Sequence, residues 1–175
     1  VLQLRVLEQI ENPKLVGSDT MNYWIGSKRG DLEKVLSKVD VLLVNEGEAD
    51  AIAKTTNAIA AAEKILKMGP KAVVIKRGEY GFVLYTQEGY FILPAFPVPN
   101  VIDPTGAGDT FAGAFFGYLA KRDKGYDLAS IRQACIQGCL AASFTVEAFG
   151  VERLKSLTWA EVEKRQAQYH NVTHI

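Results

Sequence analysis

The sequence has few of the features that mark secreted, membrane or nucleic-acid-binding proteins. It has two cysteines, Cys135 and Cys139, four positions apart and without a nearby histidine, so we predict neither a disulfide framework nor a zinc site. No apolar run approaches the roughly 20 residues of a membrane helix. Twenty basic and twenty acidic residues cancel, which gives no general basic surface for nucleic acid or an anionic membrane.

The amino terminus also lacks the layout of a secretory signal, and it has no methionine. Free cysteines and the missing signal together favour a cytoplasmic protein. The 175 residues, of which 48% are hydrophobic and 23% charged, are enough for one domain with a substantial core.

Short apolar runs alternate with helical patterns along the chain. The continuous runs at 41–44 and 72–75 are typical of parallel strands that are covered on both faces. Residues 81–85 and 90–93, on either side of a turn at 87–89, predict a hairpin. Helical spacing predicts helices at 31–39, 46–53, 57–68, 106–121, 128–144 and 159–168. We therefore predict one α/β domain over 1–175, with a mostly parallel twisted sheet flanked by helices.

A glycine-rich turn at 103–110 leads directly into one of these helices. Pro104 and the glycines interrupt regular structure, and helical spacing resumes at Phe111, so the helix begins at about Gly106. Small residues at a helix start leave backbone N–H groups uncovered, and the helix dipole there favours an anion. The turn therefore predicts a phosphate site.

Asp109 lies within this turn and has two interpretations. Aspartate is favoured at helix caps, so its role could be structural. Alternatively, a carboxylate beside a phosphate site could be a general base that takes the proton of an attacking hydroxyl. The residue type alone leaves both open.

Two other phosphate-binding motifs do not fit this turn. A Walker A loop requires Gly-Lys followed by Ser or Thr, which the sequence lacks. A Rossmann fingerprint requires a third glycine between a strand and a helix, and it tolerates an acidic residue at position 109 poorly.

Polar residues also follow the two predicted parallel strands. Asn45 and Glu48 come directly after the first, at the edge where ligands bind in open α/β sheets. Their spacing is equally that of a helix capping box. Lys76, Gly78 and Gly81 follow the second strand, where a solvated lysine and two turn glycines are the simpler interpretation.

The string at 103–113, Asp-Pro-Thr-Gly-Ala-Gly-Asp-Thr-Phe-Ala-Gly, resembles the C-terminal signature of the ribokinase-like (PfkB) carbohydrate kinases. The resemblance implies that Asp109 is the catalytic base and that the backbone at 106–108 forms an anion hole. Those three residues are Gly106, Ala107 and Gly108. Pro104 stands where the family usually has Thr, and this change should leave the N–H groups unaffected.

The same resemblance implies ATP and Mg²⁺ as cofactors. Asn45 and Glu48 resemble the second family signature, which is associated with phosphate and magnesium, with Glu48 acting directly or through water. The implied nucleotide contacts are Asn45, Lys76, Gly78, Gly81, Cys139 and Gly150, although the family often has Thr at the position of Lys76. Asp103 and Thr105 correspond to a monovalent-cation site, for K⁺, in some relatives.

The resemblance covers nearly the whole chain but only the C-terminal part of the family. We therefore expect the amino-terminal half, with the lid and most sugar contacts, to be missing, and the exposed sheet edge to favour a homodimer. The expected function is ATP-dependent phosphorylation of a sugar. A nucleoside kinase, or a nucleotide-binding or oligomerising module without turnover, is the alternative.

Overall fold

The computed structural model describes residues 2–122 and 126–174. It divides the chain into two compact units. The first unit contains Val1–Arg77 and Val83–Phe91, and the second contains Gly78–Phe82 and Ile92–Ile175. The single domain expected from the chain length stays a prediction.

Most strands and the shorter helices belong to the first unit. In chain order the elements are α1 (Leu2–Leu7), β1 (Gly17–Asp19), α2 (Asn22–Ser27), α3 (Arg29–Leu36), β2 (Val41–Asn45), α4 (Glu46–Ala53), α5 (Ala58–Leu66), β3 (Ala72–Lys76), β4 (Phe82–Thr86) and β5 (Gly89–Leu93). A short 3₁₀ turn, Gly78–Tyr80, precedes β4. The apolar and polar residues at 14–19 predict a short strand, and β1 is shorter still because it begins only at Gly17.

The strands form one five-stranded sheet in the order β1-β2-β3-β4-β5. β1 pairs with β2 and β2 with β3 in parallel, with Asp19 opposite Leu43 and Asn45 opposite Lys76. β4 and β5 are neighbours joined by two residues, a connection that only antiparallel strands can make. The predicted mostly parallel sheet is therefore confirmed. β1 is an edge strand of this sheet, and the expected homodimer stays a prediction.

The core of the first unit is built from the apolar runs of β2 and β3. The side chains of 41–44 and 72–75 are almost completely buried, together with Leu36, Ile52 and Ile65 from the flanking helices. Helical spacing at 57–68 predicts that Ile59, Ala62, Ile65 and Leu66 face the core. This prediction is wrong for Ile59, which is half exposed. The buried residues of α5 are Ala61, Ala62 and Ile65, so the inward face of the helix lies beside Ile59 and not at it.

The second unit contains helices α6 (Ala107–Ala120), α7 (Leu128–Thr145), α8 (Glu152–Lys155) and α9 (Trp159–Thr173). α6 and α7 pack closely because Gly138 leaves no room for a side chain: a Cβ there would lie 2.9 Å from the Phe111 carbonyl oxygen. Phe111 and Phe115 are buried in this interface, with their rings stacked 6.4 Å apart. The single turn of α8 was not predicted, since four residues carry too little periodic pattern.

The helices of the structure can be compared with the requirements of a membrane span. Within residues 2–122 and 126–174, no helix combines the length and apolar character that spanning a bilayer requires.

Candidate functional site

The start of α6 has the geometry of a helix without a side-chain cap. Gly106 occupies the N-cap position with φ 80° and ψ −2°, a left-handed conformation that glycine adopts without a steric penalty. No side chain accepts a hydrogen bond from the first turn. The first backbone hydrogen bond of the helix runs from the Thr110 amide to the Gly106 carbonyl, at 2.8 Å.

Several amides of this turn point to no acceptor. The Ala107 amide donates to the Pro104 carbonyl at 3.2 Å, so it is already used within the turn. For the amides of Gly106, Gly108 and Asp109, no acceptor occurs among the residues described. Free amides at the positive end of a helix dipole form a site for an anion. The geometry thus favours Gly106, Gly108 and Asp109 as donors over Ala107.

Asp109 is the third residue of α6, and its side chain is exposed. Its carboxylate accepts no hydrogen bond from the described residues, and the N-cap position belongs to Gly106. The structure therefore shows no capping bond from Asp109. The carboxylate lies beside the free amides and is open to a ligand.

Three other predicted residues meet just before the helix. The Asp103 carboxylate accepts a hydrogen bond from the Thr105 amide at 3.0 Å. Hydrogen bonding from Thr105 lowers the pKa of Asp103, and the nearby Gly150 amide lowers it further. Gly150 has φ 60° and leaves open space where a side chain would stand. Gly150 therefore lies next to Asp103, at the start of the glycine-rich turn 103–110, which we call the anion turn.

The end of α7 contacts the glycine-rich turn 103–110 through residues that were not among the predicted site residues. The Val146 carbonyl accepts from the amides of Ile102 (2.8 Å) and Asp103 (3.4 Å). The buried hydroxyl of Thr145 lies 2.9 Å from the hydroxyl of Thr110. These contacts join positions more than 30 residues apart, and no local sequence signal announces them.

In the first unit, Asn45 and Glu48 form a complete capping box on α4. The Asn45 side chain accepts from the Glu48 amide, and the Glu48 Oε2 atom accepts from the Asn45 amide, both at 2.8 Å. The capping interpretation of this pair is confirmed. A role in metal or phosphate binding stays a prediction. It is compatible with the box, because no described residue donates a hydrogen bond to Oε1 of Glu48.

Lys76 ends β3 and forms an ion pair with Asp19, which ends β1. Their Nζ and Oδ2 atoms are 2.7 Å apart, and the side chains are only 16% and 31% exposed. Asp19 was not among the predicted site residues, although, like Asn45, it is the last residue of a parallel strand. Thr20 follows it, with an amide that donates to Asp19 and a buried hydroxyl that has no partner within the described residues.

These charges act on Glu48. Burial raises the pKa of Glu48, and the nearby carboxylate of Asp19 raises it further, whereas the Asn45 amide and the Lys76 ammonium oppose the shift. Glu48 is 6% exposed. A buried carboxylate beside one lysine and one aspartate is an environment that an added cation would stabilise.

The two glycines of the turn after β3 differ. A Cβ at Gly81, where φ is 86°, would lie 2.1 Å from the Leu93 carbonyl oxygen, so close backbone packing requires this glycine. Gly78 has φ 55° and open space around it. Of the two, only Gly78 presents the surface that a nucleotide contact requires.

Cys139 lies inside the second unit. Its sulfur is 3.9 Å from the Pro94 carbonyl oxygen and 3.7 Å from the Tyr169 hydroxyl, and burial raises the pKa of the thiol. Both cysteines are free and buried, in agreement with the absence of a predicted disulfide. The packing gives Cys139 a structural role.

The described residues contain no cluster of three or more His, Cys, Asp or Glu side chains that could enclose a metal. A metal bound here would keep water or substrate oxygens as ligands. Mg²⁺ does so in nucleotide sites, where it uses one or two carboxylates together with phosphates.

Residues 7–157 match the sequence profile of the pfkB family carbohydrate kinases. The chain belongs to this family. The predicted resemblance is thus confirmed, and the members of the family are phosphotransferases.

Individual pfkB family relatives support the assignment. The chain is 35% identical to a cytidine kinase of Thermococcus kodakarensis over 127 residues, which cover 69% of this chain and 45% of the relative. It superimposes on a ribokinase of Thermotoga maritima with a TM-score of 0.74 and 28% identity, over 94% of this chain and 52% of the other. Another structure, of an E. coli protein solved with ATP and Mg²⁺, gives a TM-score of 0.67 and 28% identity, over 83% of this chain and 45% of the other.

These comparisons confirm the ribokinase-like α/β fold. The chain spans about half the length of the pfkB relatives that it matches.

Proposed function

We propose that this chain provides the nucleotide- and phosphate-binding part of a kinase that transfers the γ-phosphoryl group of ATP to a hydroxyl of a sugar or nucleoside. The observation that carries the proposal is the start of α6. Amides of Gly106, Gly108 and Asp109 without acceptors lie beside a carboxylate that makes no capping bond. This combination suits phosphoryl transfer, because that reaction depends on positioning and on stabilisation of charge.

In the proposed reaction, the acceptor hydroxyl attacks the γ-phosphorus and the bond to the leaving ADP oxygen breaks. Asp109 takes the proton of the hydroxyl. The free amides of the α6 turn donate to the oxygens of the phosphoryl group while it is transferred.

Mg²⁺ fits the residues at the end of β2. Its preferred ligands are oxygen atoms, and the Oε1 atom of the buried Glu48 carboxylate is free of described donors. Glu48 would hold the ion directly or through water, and the Asn45 amide, which donates to Oε2, keeps the Glu48 side chain oriented. The bound ion would neutralise charge on the phosphates. The relative that was solved with ATP and Mg²⁺ supports Mg²⁺ as the cofactor.

The remaining site residues complete the proposal. Lys76 would contact phosphate, and the open turn at Gly78 and the turn at Gly150 would contact the nucleotide. Asp103 and Thr105 would hold a monovalent cation such as K⁺, since the Asp103 carboxylate is kept ionised by hydrogen bonds. We leave Gly81 and Cys139 out, because backbone and core packing account for both.

The acceptor class is open to a sugar or a nucleoside, because relatives of both kinds match the chain. The test has two stages. Calorimetric titration of the chain with Mg-ATP should show binding, and Asp127→Asn, which preserves a cap elsewhere in the second unit, should bind equally well. An ADP-release assay across sugars and nucleosides, on the protein that carries this sequence, then identifies the acceptor. Absence of Mg-ATP binding would refute the proposal.

A further inference from the structure

Three parallel strands of the first unit end in polar residues that meet at one edge of the sheet. β1 ends at Asp19, β2 at Asn45 and β3 at Lys76, and Asn45 is directly opposite Lys76 in the register. The Lys76 ammonium lies 2.7 Å from Asp19, and its charge also acts on Glu48 one turn into α4. A single lysine is thus held between two carboxylates at the edge where ligands bind in this class of sheet.

We infer that Asp19 is a positioning residue that holds the Lys76 ammonium in place for the phosphates of the nucleotide. The inference rests on the proposed function. A free lysine side chain has many rotamers, and fixing them on binding costs affinity. The ion pair fixes them beforehand. The Asp19 carboxylate is itself fixed, because its other oxygen accepts from the Thr20 amide at 2.8 Å.

A second ion pair on the same strands provides an internal comparison. Asp40 precedes β2 and Lys71 precedes β3, at the opposite edge of the sheet, and their Nζ and Oδ1 atoms are also 2.7 Å apart. The Lys71 side chain is 71% exposed, whereas that of Lys76 is 16% exposed. The pair at Lys71 links the segments before two neighbouring strands, whereas the pair at Lys76 joins β1 to β3 past the end of β2. Only the pair at Lys76 lies beside the buried Glu48.

Charge alone predicts the opposite effect of Asp19. ATP is an anion, so removing the negative charge of Asp19 would raise its affinity if Asp19 acted only through the electrostatic field. If Asp19 positions Lys76, removing it lowers the affinity. Asp19→Asn tests this cleanly, because asparagine keeps the oxygen that accepts from the Thr20 amide.

The experiment is a double-mutant cycle on Mg-ATP binding, measured by calorimetry with the wild-type chain, Asp19→Asn, Lys76→Thr and the double variant. Asp19→Asn should raise Kd about 3- to 10-fold in the presence of Lys76, the cost of one lysine side chain ordered on binding. In the Lys76→Thr background it should leave Kd unchanged or lower it. Lys71→Thr, which breaks the matched pair at the opposite edge, should leave Kd unchanged.

Each other outcome overturns the inference at an identifiable point. An equal loss in both backgrounds means that Asp19 contacts the ligand or its metal directly. Unchanged or tighter binding by Asp19→Asn means that the ion pair does not position Lys76. If the wild-type chain binds no Mg-ATP, the proposed function fails, and the positioning role fails with it.

A measurement without ligand tests the ion pair separately. Reductive methylation followed by peptide mass spectrometry reports how readily each lysine amine reacts, with the exposed Lys71 as the internal reference. Lys76 should react slowly in the wild-type chain and several-fold faster in Asp19→Asn or Asp19→Ser, in proteins with unchanged circular dichroism. Equal reactivity in all three would show that Asp19 does not hold the lysine.

Discussion

Helices α6 and α7 follow one another in the second unit and pack together, but they begin in opposite ways. Asp127 and Ser130 form a capping box on α7, with the Ser130 amide donating at 2.7 Å and the Asp127 amide at 2.8 Å. α6 begins at Gly106 with no side-chain cap. A cap contributes about 0.5–2 kcal/mol of stability. The start of α6 lacks this contribution and keeps its amides free, as a site for an external anion requires.

The largest effect that would test this contrast is on catalysis. Asp109→Asn, made in the protein that carries this sequence, should lower the rate of phosphoryl transfer about 10²- to 10⁴-fold, the usual contribution of a general base. Nucleotide affinity should hold or rise slightly, because a negative charge near the phosphates is removed. Rate, ATP affinity and melting temperature would be measured on one preparation.

Asp127→Asn is the matched control, since it makes the same substitution at the capped helix. Asparagine caps about as well as aspartate, so rate and stability should both be preserved. If Asp109→Asn behaved like this control and kept more than about a tenth of the rate, Asp109 would have no catalytic role.

The second test concerns the backbone of the α6 turn. Gly106→Ala should lower the free energy of unfolding by about 1–3 kcal/mol, because alanine is strained at φ 80°. It should also weaken Mg-ATP binding, since the turn that presents the amides is distorted. Chemical denaturation and calorimetry measure the two effects.

Gly113→Ala is the control for this change, because Gly113 lies in the same helix with open space where a side chain would stand. Alanine there should be neutral or stabilise by up to about 1 kcal/mol. A Gly106 variant as stable as this control would show that the turn does not depend on a left-handed residue.

The third test removes the cap from α7. Asp127→Ala should lower the free energy of unfolding by about 1 kcal/mol, as the loss of an N-cap usually does, and should leave Mg-ATP affinity unchanged. Urea unfolding monitored by circular dichroism would measure the loss. A variant with normal stability but weaker ATP binding would mean that the capped helix also serves the ligand.

The smallest effect concerns α4, whose start is capped by a buried carboxylate. Since burial raises the pKa of Glu48 above the ordinary value of 4.5, the folded protein keeps this proton to higher pH than the unfolded chain does. The associated stability is fully present below pH 4.5 and is lost as the pH rises through the folded pKa. Glu48→Gln preserves the capping box, so it should melt slightly higher than wild type at pH 7 and equally at pH 4.

Glu161, in the capping box of α9, has a pKa that is shifted in the opposite direction to that of Glu48. Hydrogen bonds from Thr158 and Arg153 lower its pKa to about 2, so its contribution is present above pH 4.5 and is lost as the pH falls toward 2. Glu161→Gln should therefore melt lower than wild type at pH 7. If Glu48→Gln and Glu161→Gln changed the melting temperature at pH 7 in the same direction, the opposite pKa shifts of the two carboxyl groups would be contradicted.

Local features of the fold could be predicted from the sequence, and long-range contacts could not. The helices that follow Asn45, Asp127 and Thr158 were predicted because a residue type that caps helices directly precedes each helical pattern. The buried strands β2 and β3 were predicted from continuous apolar runs. The extra turn α8 and the exposure of Ile59 depend on packing, which a short periodic pattern does not determine.

The candidate site shows the same division. The glycine turn and Asp109 lie in one string of residues, so the family signature located them. The ion pair between Asp19 and Lys76 joins positions 57 apart in the chain. Its two members meet only because β1, β2 and β3 lie side by side, a fact about strand order that neither residue encodes locally.

The Val146 carbonyl is synthesised after the amides that it binds, and this order affects the nascent chain. It accepts from the amides of Ile102 and Asp103, yet more than forty residues separate it from them in the chain. At the usual 5–20 residues per second of synthesis, the anion turn leaves the ribosome roughly 2–9 s before this support. During that interval the turn lacks its two hydrogen bonds to the Val146 carbonyl, so a nascent chain that ends before α7 should not bind phosphate.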